Sequence, residues 1–473
     1  MSFNFNQIGI QLPDNWTTKR VCEVADINAD SIKKGDEPSE IWYVDISSVS
    51  SGFLEQLKKI KYCDAPSRAK RRLKNNDFLI STVRPKLRQH VFLENVGENW
   101  IASTGLCVVS THKSENAWYL YSFITSDIFN DYLVRIADGG AYPAFNPKEI
   151  ANAIIPWPDE TTMKKINQLM KFFYNKIELN NEINNTLESI SQAIFKSWFI
   201  DFDPVTSKIS VLKVGGTIDD AERAAMSTIS GKSEIALIQM QEQQPEAYME
   251  LKKTAALFPA AMQESVIGEK PSGWKVGNLA DILEFNPKRT LTKGTIAPYL
   301  DMKNVPTKGH LVKDVIEREM NGGTKFINGD TLLARITPCL ENGKTAYVDF
   351  LKEAQVGWGS TEYIVIHPRK GYHPLLGYFI ARNETFRSAA IQSMTGSSGR
   401  QRADINALAD LTWLIYPKDL INIFTKIVEP FLNTAKNNSE ESKILARIRD
   451  ALLPKFISGE IKFGITDRDH TEE

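Results

Sequence analysis

The chain has 473 residues, of which 42% are apolar and 24% charged, a composition typical of soluble globular proteins and sufficient for about two to four domains. Lys and Arg number 57 against 58 Asp and Glu, and this balance does not point to a nucleic-acid-binding protein or exclude one, because local potential depends on clustered charge. The start of the chain lacks the basic and apolar segments of a signal peptide, and no apolar run approaches membrane-spanning length, so we expect a cytoplasmic protein.

Residues 1–158 have the pattern of one mixed domain, which we call the first module. Short β-branched and aromatic runs at residues 41–46, 78–83 and 106–109 predict strands, and residues 118–134 have helical spacing. Turn residues separate these runs. We therefore predict an α/β or α+β module with a single core.

Two groups of cations stand out in the first module. They are Arg68, Lys70, Arg71 and Arg72 in one run, and Arg84, Lys86 and Arg88 around Pro85 in the other. Such clusters neutralise phosphates and position a protein on a duplex. The alternative is a solvated basic face with no ligand.

A long amphipathic helix is predicted next, over residues 163–199 within a segment that we bound at 159–202. No Gly or Pro interrupts it, and at ~1.5 Å per residue it would span ~55 Å, which suits a spacer or a helix paired along its length. A polar residue, Asn180, interrupts the apolar seam and is of the kind that fixes register in a coiled coil. The apolar seam residues are Ile166, Phe173, Ile177, Leu187, Ile194 and Trp198.

The connector, residues 203–269, differs in composition from what precedes it. It contains Val214-Gly215-Gly216, a Gln-rich run and an Ala-rich segment. We expect it to be partly helical and less ordered than its neighbours.

The pattern then repeats with an offset of 258 residues, which six apolar positions of the long helix share with a segment near the C-terminus. Trp16 and Trp274, which each close a Pro-x-x-Trp opening, have the same offset. A second module is predicted over residues 270–417, followed by a second long helix and C-terminal segment over 418–463. Two unrelated surface helices are the alternative to this duplication. The second seam comprises Phe424, Phe431, Leu445 and Leu452, with Asn438 answering Asn180.

A glycine loop near the end of each module is the sharpest candidate for ligand contact. In the second module it contains Gly396, Ser397, Gly399, Arg400, Gln401 and Arg402. Glycines allow close approach to a groove, and the Arg and Gln side chains donate to base edges and phosphates. The first module offers Tyr142 instead. A plain surface turn remains the alternative for both loops.

Arg335, at a predicted strand end in the second module, has two interpretations. It can donate bidentately to guanine in the major groove, or it can simply pair with a carboxylate.

Motifs for catalysis or metal binding are missing from the sequence. It has no Asn/Asp-Pro-Pro-aromatic methyltransferase motif, no phosphate-binding GxxxxGK[ST] loop and no Cys-x-x-Cys pair. His367 and His373 have no carboxylate or thiolate at ligand spacing. We expect the chain to be non-catalytic and to bind no metal.

The order of these features resembles that of the specificity subunit of type I restriction–modification enzymes. The likeness lies in the duplicated layout, the module openings and three segments, FKSWFIDFDPV at 195–205, ALFP at 256–259 and LLPKFISGEI at 452–461. It covers nearly the whole chain. The resemblance implies two target-recognition domains, each reading one half of a bipartite DNA sequence, and two long helices paired as an antiparallel coiled coil.

The resemblance also implies partners. Two adenine-methyltransferase subunits would dock on the helices, with restriction (motor-nuclease) subunits bound through them. S-adenosylmethionine, ATP and magnesium would be held by those partners alone. Two other functions stay open: a duplicated protein-binding scaffold, which would lack salt-sensitive DNA affinity, and an enzyme with an unrecognised active site.

Overall fold

The computed structural model describes residues 2–54, 57–397 and 399–461. These form two compact units. The first unit combines residues up to Asn180 with those from Glu440 onward, and the second unit comprises residues 181–439. The last two residues of the predicted C-terminal segment, 462 and 463, lie outside the described residues.

The first module is built from strands with three helices near its end. Its strands are β1 (Thr17–Arg20), β2 (Ala25–Ile27), β3 (Glu40–Val44), β4 (Lys58–Lys61), β5 (Ala69–Arg72), β6 (Asp77–Ser81), β7 (His90–Leu93), β8 (Trp100–Ser103), β9 (Leu106–Thr111) and β10 (Ile154–Trp157). Its helices are α1 (Ala117–Ile124), α2 (Asp127–Ile136) and α3 (Lys148–Ala151). The predicted strands are confirmed, and the helical spacing of residues 118–134 corresponds to the two helices α1 and α2.

Two four-stranded sheets and one pair of strands make up this module. The sheet orders are β2-β9-β6-β7 and β4-β3-β8-β5, and β1 pairs with β10. Alternation along β6 sends Leu79 into a core between the sheets and sends Phe78 and Ile80 toward α1. Every residue of β6 is buried, so this strand is the centre of the module.

The long helix α4 (Glu160–Phe199) follows and leads into the connector. The connector folds into α5 (Asp203–Lys213), α6 (Ile218–Ser230), α7 (Glu234–Gln243) and α8 (Pro245–Ala256). Met226, Leu237 and Tyr248 form a small apolar core between three of these helices. We expected the connector to be less ordered than its neighbours, but it is regular and helical, because these three side chains give it an apolar core.

The second module repeats the plan of the first. Its strands, after the short pair β11 (Met262–Gln263) and β12 (Lys270–Pro271), are β13 (Lys275–Asn278), β14 (Leu283–Phe285), β15 (Ile296–Leu300), β16 (Ile316–Glu319), β17 (Thr324–Phe326), β18 (Thr331–Ala334), β19 (Thr345–Tyr347), β20 (Gly357–Gly359), β21 (Tyr363–Pro368) and β22 (Thr412–Ile415). Its helices are α9 (Leu375–Arg382), α10 (Glu384–Gln392) and α11 (Ile405–Ala409), and the long helix α12 (Lys418–Ile457) follows.

The sheet orders of the second module match those of the first strand for strand. They are β14-β21-β18-β19, β16-β15-β20-β17 and the pair β13-β22. The helices α4 and α12 are each 40 residues long, and both of their ends are offset by 258 residues. The predicted tandem duplication is confirmed.

The two long helices pair in an antiparallel sense, and the pairing is visible within each unit. In the first unit, Ile166 and Met170 near the start of α4 share a core with Leu453 and Phe456 near the end of α12. In the second unit, Trp198 at the end of α4 shares a core with residues near the start of α12, including Leu420 and Phe424. The predicted antiparallel pairing is confirmed.

Two polar contacts repeat along this helix pair. Asn180 is 1% exposed, and its Nδ2 donates to Ser442 Oγ at 3.2 Å and to Glu441 Oε2 at 2.8 Å in the first unit. Asn438 Nδ2 donates to Asn184 Oδ1 at 3.0 Å in the second unit. Because Asn438 follows Asn180 by 258 residues and Ser442 follows Asn184 by the same number, the two contacts are equivalent.

The predicted seam residues differ in burial. Four of them are buried, namely Ile166, Phe173, Trp198 and Phe424. The others are partly exposed, namely Ile177, Leu187, Ile194, Phe431, Leu445 and Leu452. Among the described residues, no helix is both long and apolar enough to span a lipid bilayer.

Candidate nucleic-acid interface

The segment after β6 and the glycine loop of the first module come together at one corner of that module. Ala144 forms antiparallel bridges with both Val83 and Asp138, so the loop folds back beside the strand end. The Arg84 backbone N–H donates to Pro143 O at 2.7 Å. We call residues 82–85 with residues 138–144 the first corner.

Arg84 and Tyr142, both candidates from the sequence, meet at the first corner. The Arg84 guanidinium carbon lies 4.1 Å from the centre of the Tyr142 ring, a cation–π arrangement. Arg84 Nη2 also lies 3.4 Å from Ala141 O. Tyr142 is 67% exposed, so this pair offers solvent a cation and an aromatic face.

The neighbouring cations have different surroundings. Arg88 pairs with Asp127 and donates through Nη2 to Thr125 O at 2.8 Å, which ties the strand end to α2. Lys86 is exposed to solvent. Of these two, Lys86 is the more exposed to solvent.

The cations of the basic run at residues 68–72, most of which lie on β5, make different contacts. Arg68 is mostly exposed and lies 3.6 Å from Asp45. Lys70 donates to Tyr62 Oη at 2.9 Å, and Arg72 forms a 2.7 Å ion pair with Asp36. These three make no continuous row of open cations.

Arg71, the remaining member of the run, turns inward. Burial lowers the pKa of its guanidinium. Its Nε is buried and has no hydrogen-bond partner among the described residues. The candidate phosphate contact of this run is therefore reduced to Arg68, and the other three residues have roles within the module.

The second corner, residues 335–338 with residues 395–397 and 399–402, has the same backbone plan. Arg402 forms antiparallel bridges with Ile336 and Thr395. Thr337 N donates to Gln401 O at 3.0 Å, and Gln401 N donates to Thr337 Oγ1 at 3.0 Å. Gln401 is thereby held by its backbone at the base of the loop.

Glycine geometry shapes the tip of this loop. Gly396 has φ +125°, and a Cβ there would lie 3.1 Å from Arg400 O. Gly399 has φ +78°, in the left-handed region that favours glycine. Arg400 N donates to Ser397 O at 3.0 Å, and the Arg400 side chain is exposed.

One carboxylate that the sequence analysis did not single out organises the second corner. Glu362 accepts from Arg402 Nε and Nη2 at 2.9 and 2.7 Å, and from Arg335 Nε at 3.2 Å. The hydrogen bonds from Arg402, together with those from Arg335, lower the pKa of Glu362, and the pair raises the pKa of Arg402. Arg335 therefore does pair with a carboxylate, one of its two predicted interpretations.

The first corner has no counterpart to this cluster. Backbone hydrogen bonds show that Thr82 and Arg335 are equivalent. The Thr82 N–H donates to Gly105 O, just before β9, and the Arg335 N–H donates to Glu362 O, just before β21, at 3.0 Å in each case. The bridges equate Ala144 with Arg402. In the sequence, the difference is visible at the position directly after the repeated Ser-Thr pair, where the first module has Gly105 and the second has Glu362.

The histidines considered as metal ligands have partners of another kind. His367 Nδ1 lies 2.8 Å from Asp330 Oδ1, and Arg289 Nη2 lies 2.8 Å from the same atom. Burial alone would raise the pKa of Asp330, but hydrogen bonds from His367 and Arg289 lower it. His373 Nε2 is 3.9 Å from Glu429. No group of three or more His, Cys, Asp and Glu side chains suited to a metal occurs in the described part of the chain.

Comparison with known proteins places these features in context. Residues 13–189 match the family model of the type I restriction modification DNA specificity domain. The type I restriction enzyme HindI specificity subunit of Haemophilus influenzae is 28% identical over 415 residues, 84% of this chain and 89% of that protein. The MjaIX specificity subunit of Methanocaldococcus jannaschii is 24% identical over 354 residues, 73% of this chain and 69% of that protein.

A solved structure, the type I restriction-modification S subunit from M. genitalium, is also similar. It is 12% identical, with 96% of this chain and 99% of that chain covered and a TM-score of 0.47.

Proposed function

Because this chain belongs to the family of type I restriction–modification specificity subunits, we propose that it gives such an enzyme its DNA sequence specificity by reading a bipartite target, with one half-site for each module. The observation that carries the proposal is the pair of corners. Both are built on one backbone plan, yet they carry different side chains.

The chemistry of the corners supports reading of two unlike half-sites. The first presents Arg84 over Tyr142, an arrangement suited to a base or a sugar-phosphate edge. The second presents Arg335 and the exposed Arg400, whose guanidinium groups match the acceptors of guanine or phosphate. Lys86, next to the first corner in sequence, and Arg68 add positive charge to the same module.

The proposed partners are two adenine-methyltransferase subunits bound along α4 and α12, and restriction subunits bound through them. Exposed apolar residues support this docking, because Ile190 on α4 and Ile448 on α12 are each 42% exposed at positions related by the repeat. Equivalent surfaces of this kind suit two copies of one partner. In the first unit, α4 also exposes Phe172 and Leu179, by 60% and 49%.

Chemistry is assigned to the partners in this proposal. The methyltransferase subunits would flip an adenine from the stack and methylate its amino group. S-adenosylmethionine, ATP and magnesium would bind to those subunits, in the cytoplasm where the DNA is found. The present chain would supply recognition and assembly without a catalytic residue.

Mapping of methylated adenines in host DNA tests the proposal. We expect a motif of two short half-sites separated by a fixed number of unread base pairs, and we expect this motif to lose its methylation when the gene is deleted. Complementation with the intact gene is the control. Methylation that survives deletion would leave the protein-binding scaffold as the better description, and DNA affinity insensitive to salt would point the same way.

A further inference from the structure

The cluster of Glu362, Arg335 and Arg402 uses the donors of its two arginines unequally. Arg402 directs Nε and Nη2 at the two carboxylate oxygens, and its Nη1 lies 3.4 Å from Arg400 O. The Nε–Nη2 edge of Arg402 is therefore fully engaged by Glu362, and its Nη1–Nη2 edge is partly engaged, because Nη1 also lies near Arg400 O. Arg402 thus makes more hydrogen bonds within the module than Arg335 does, which suits it to a supporting role.

Arg335 keeps the part of its guanidinium that can read a base. Its contact with Glu362 is made through Nε at 3.2 Å. Its two Nη atoms donate to no acceptor among the described residues, and neither is among their buried polar atoms without a partner, so each keeps some contact with solvent. Glu362 thus holds the guanidinium at Nε, and the Nη1–Nη2 edge remains without an acceptor among the described residues.

Partial burial makes this anchoring effective. The side chains of Glu362 and Arg335 are 21% and 29% exposed, whereas that of Arg402 is 42% exposed. A partly buried ion pair is screened less by water and salt than an exposed one, and its geometry is better defined. The backbone of Arg335 is also fixed, because its N–H donates to Glu362 O and its carbonyl accepts from Ala403 N.

We propose that Glu362 is a positioning residue for DNA recognition, which orients Arg335 for bidentate reading of a base with two major-groove acceptors, the pattern of guanine, while Arg402 buttresses the carboxylate. This inference rests on the proposed function. It makes Arg335 the reading residue of the second corner and assigns Arg402 a supporting role. It also explains why the first corner, with Gly105 and Thr82 at the equivalent positions, must use another device.

The charge of Glu362 gives the proposal a signature that a general stabilising role would lack. Removing a carboxylate near a DNA-binding surface raises or preserves affinity for non-specific DNA, because the local potential becomes more positive. Releasing Arg335 from its anchor lowers discrimination at one base pair. The two effects therefore have opposite signs for a positioning carboxylate.

The test uses the chain in complex with its methyltransferase partner and duplexes carrying single base-pair changes in each half-site. For Glu362→Gln, we expect discrimination at one base pair of the second half-site to fall about 5- to 150-fold, with non-specific affinity unchanged or higher. Arg335→Lys, which keeps the charge but loses the fork, should flatten discrimination at the same base pair. The matched control is Glu353→Gln, an exposed acid in the same module, which should leave discrimination intact.

The first half-site reports on folding in the same experiment. Its discrimination should be unchanged in all three variants, and Arg335→Lys tests the reading role independently of any effect of Glu362→Gln on folding. The inference is overturned if Glu362→Gln weakens specific and non-specific binding alike, or if it and Arg335→Lys affect different base pairs. A wild-type complex with no sequence preference would instead contradict the proposed function.

Discussion

His90 lies on β7 inside the first module, where its ring is held neutral by its surroundings. His90 Nδ1 lies 2.8 Å from Tyr121 Oη, and His90 is only 7% exposed. Burial, assisted by the positive charges of Arg449 and Arg88, lowers the pKa of His90 to about 3. An imidazole in this environment resists protonation until the module opens.

This depressed pKa predicts a pH dependence of stability. Between pH 6.5 and 3 the unfolded chain binds a proton at His90 that the folded chain does not, so the free energy of unfolding falls as the pH falls. Replacing His90 by Asn, which keeps a polar partner for Tyr121, removes this linkage. The stability deficit of His90→Asn relative to the wild type should therefore shrink by about 2 kcal/mol between pH 7 and pH 5.

Urea unfolding of both proteins at each pH, followed by circular dichroism, measures this difference. A deficit for His90→Asn that stays constant across the range would show that His90 protonates in the folded state.

Single residues also mark the limit of what the sequence could predict. Arg84 and Tyr142 were recognised as candidates by type, but their stacking depends on a loop that folds back over 57 intervening positions. Glu362 was overlooked because its partners lie 27 and 40 residues away. An isolated Glu at the start of a strand carries no local signal, and only comparison with Gly105 in the repeat distinguishes it.

At the scale of elements, the paired polar positions of the long helices carry a prediction. Asn180 is almost fully buried, donates to Glu441 and Ser442, and accepts from Lys176 Nζ at 3.1 Å. Replacing Asn180 by Ala removes these bonds and leaves Glu441 and Ser442 of α12 without this hydrogen-bond donor. We expect a loss of about 2 kcal/mol in the free energy of unfolding.

Asn185→Ala, on an exposed position of the same helix, is the control for this change. It should alter stability by less than about 0.5 kcal/mol. Denaturant midpoints of the two variants provide the comparison. If Asn180→Ala proved more stable than the wild type, the polar contact would have to be assigned to register alone.

Elements were the part of the fold that could be predicted best. Apolar spacing located the long helices, and the predicted start at residue 163 lies close to the observed Glu160. Repetition then allowed strong signals in one module to support weak ones in the other. The connector was judged by composition, which gave no indication that Met226, Leu237 and Tyr248 would form a core.

At the scale of the whole molecule, we propose that the long helices act as the spacer that their length suggests and so determine the number of unread base pairs between the half-sites. Inserting seven residues after Asn181 and another seven after Ser439 adds one heptad to each helix at equivalent positions and preserves the apolar phase. Each helix gains about 10.5 Å, the rise of about three base pairs. We expect both half-sites to be retained and the gap to increase by about three base pairs.

Methylation mapping of a strain that carries the lengthened chain measures the gap. The same seven residues inserted after Gly231, in the turn between α6 and α7, are the control and should leave the gap unchanged. Altered half-sites at the original spacing would contradict the role of the helices as the spacer that sets the gap.

The first unit is assembled from two distant parts of the chain, and this has a consequence for synthesis on the ribosome. Ile166, Met170 and Tyr174 share their core with Leu453, Phe456 and Ile457, which are made only after the whole second unit of residues 181–439. At about 5–20 residues per second, the nascent chain waits tens of seconds with this apolar face uncovered. A message truncated before codon 440 would therefore yield a protein whose first unit never closes, which makes it a substrate for chaperones and proteases.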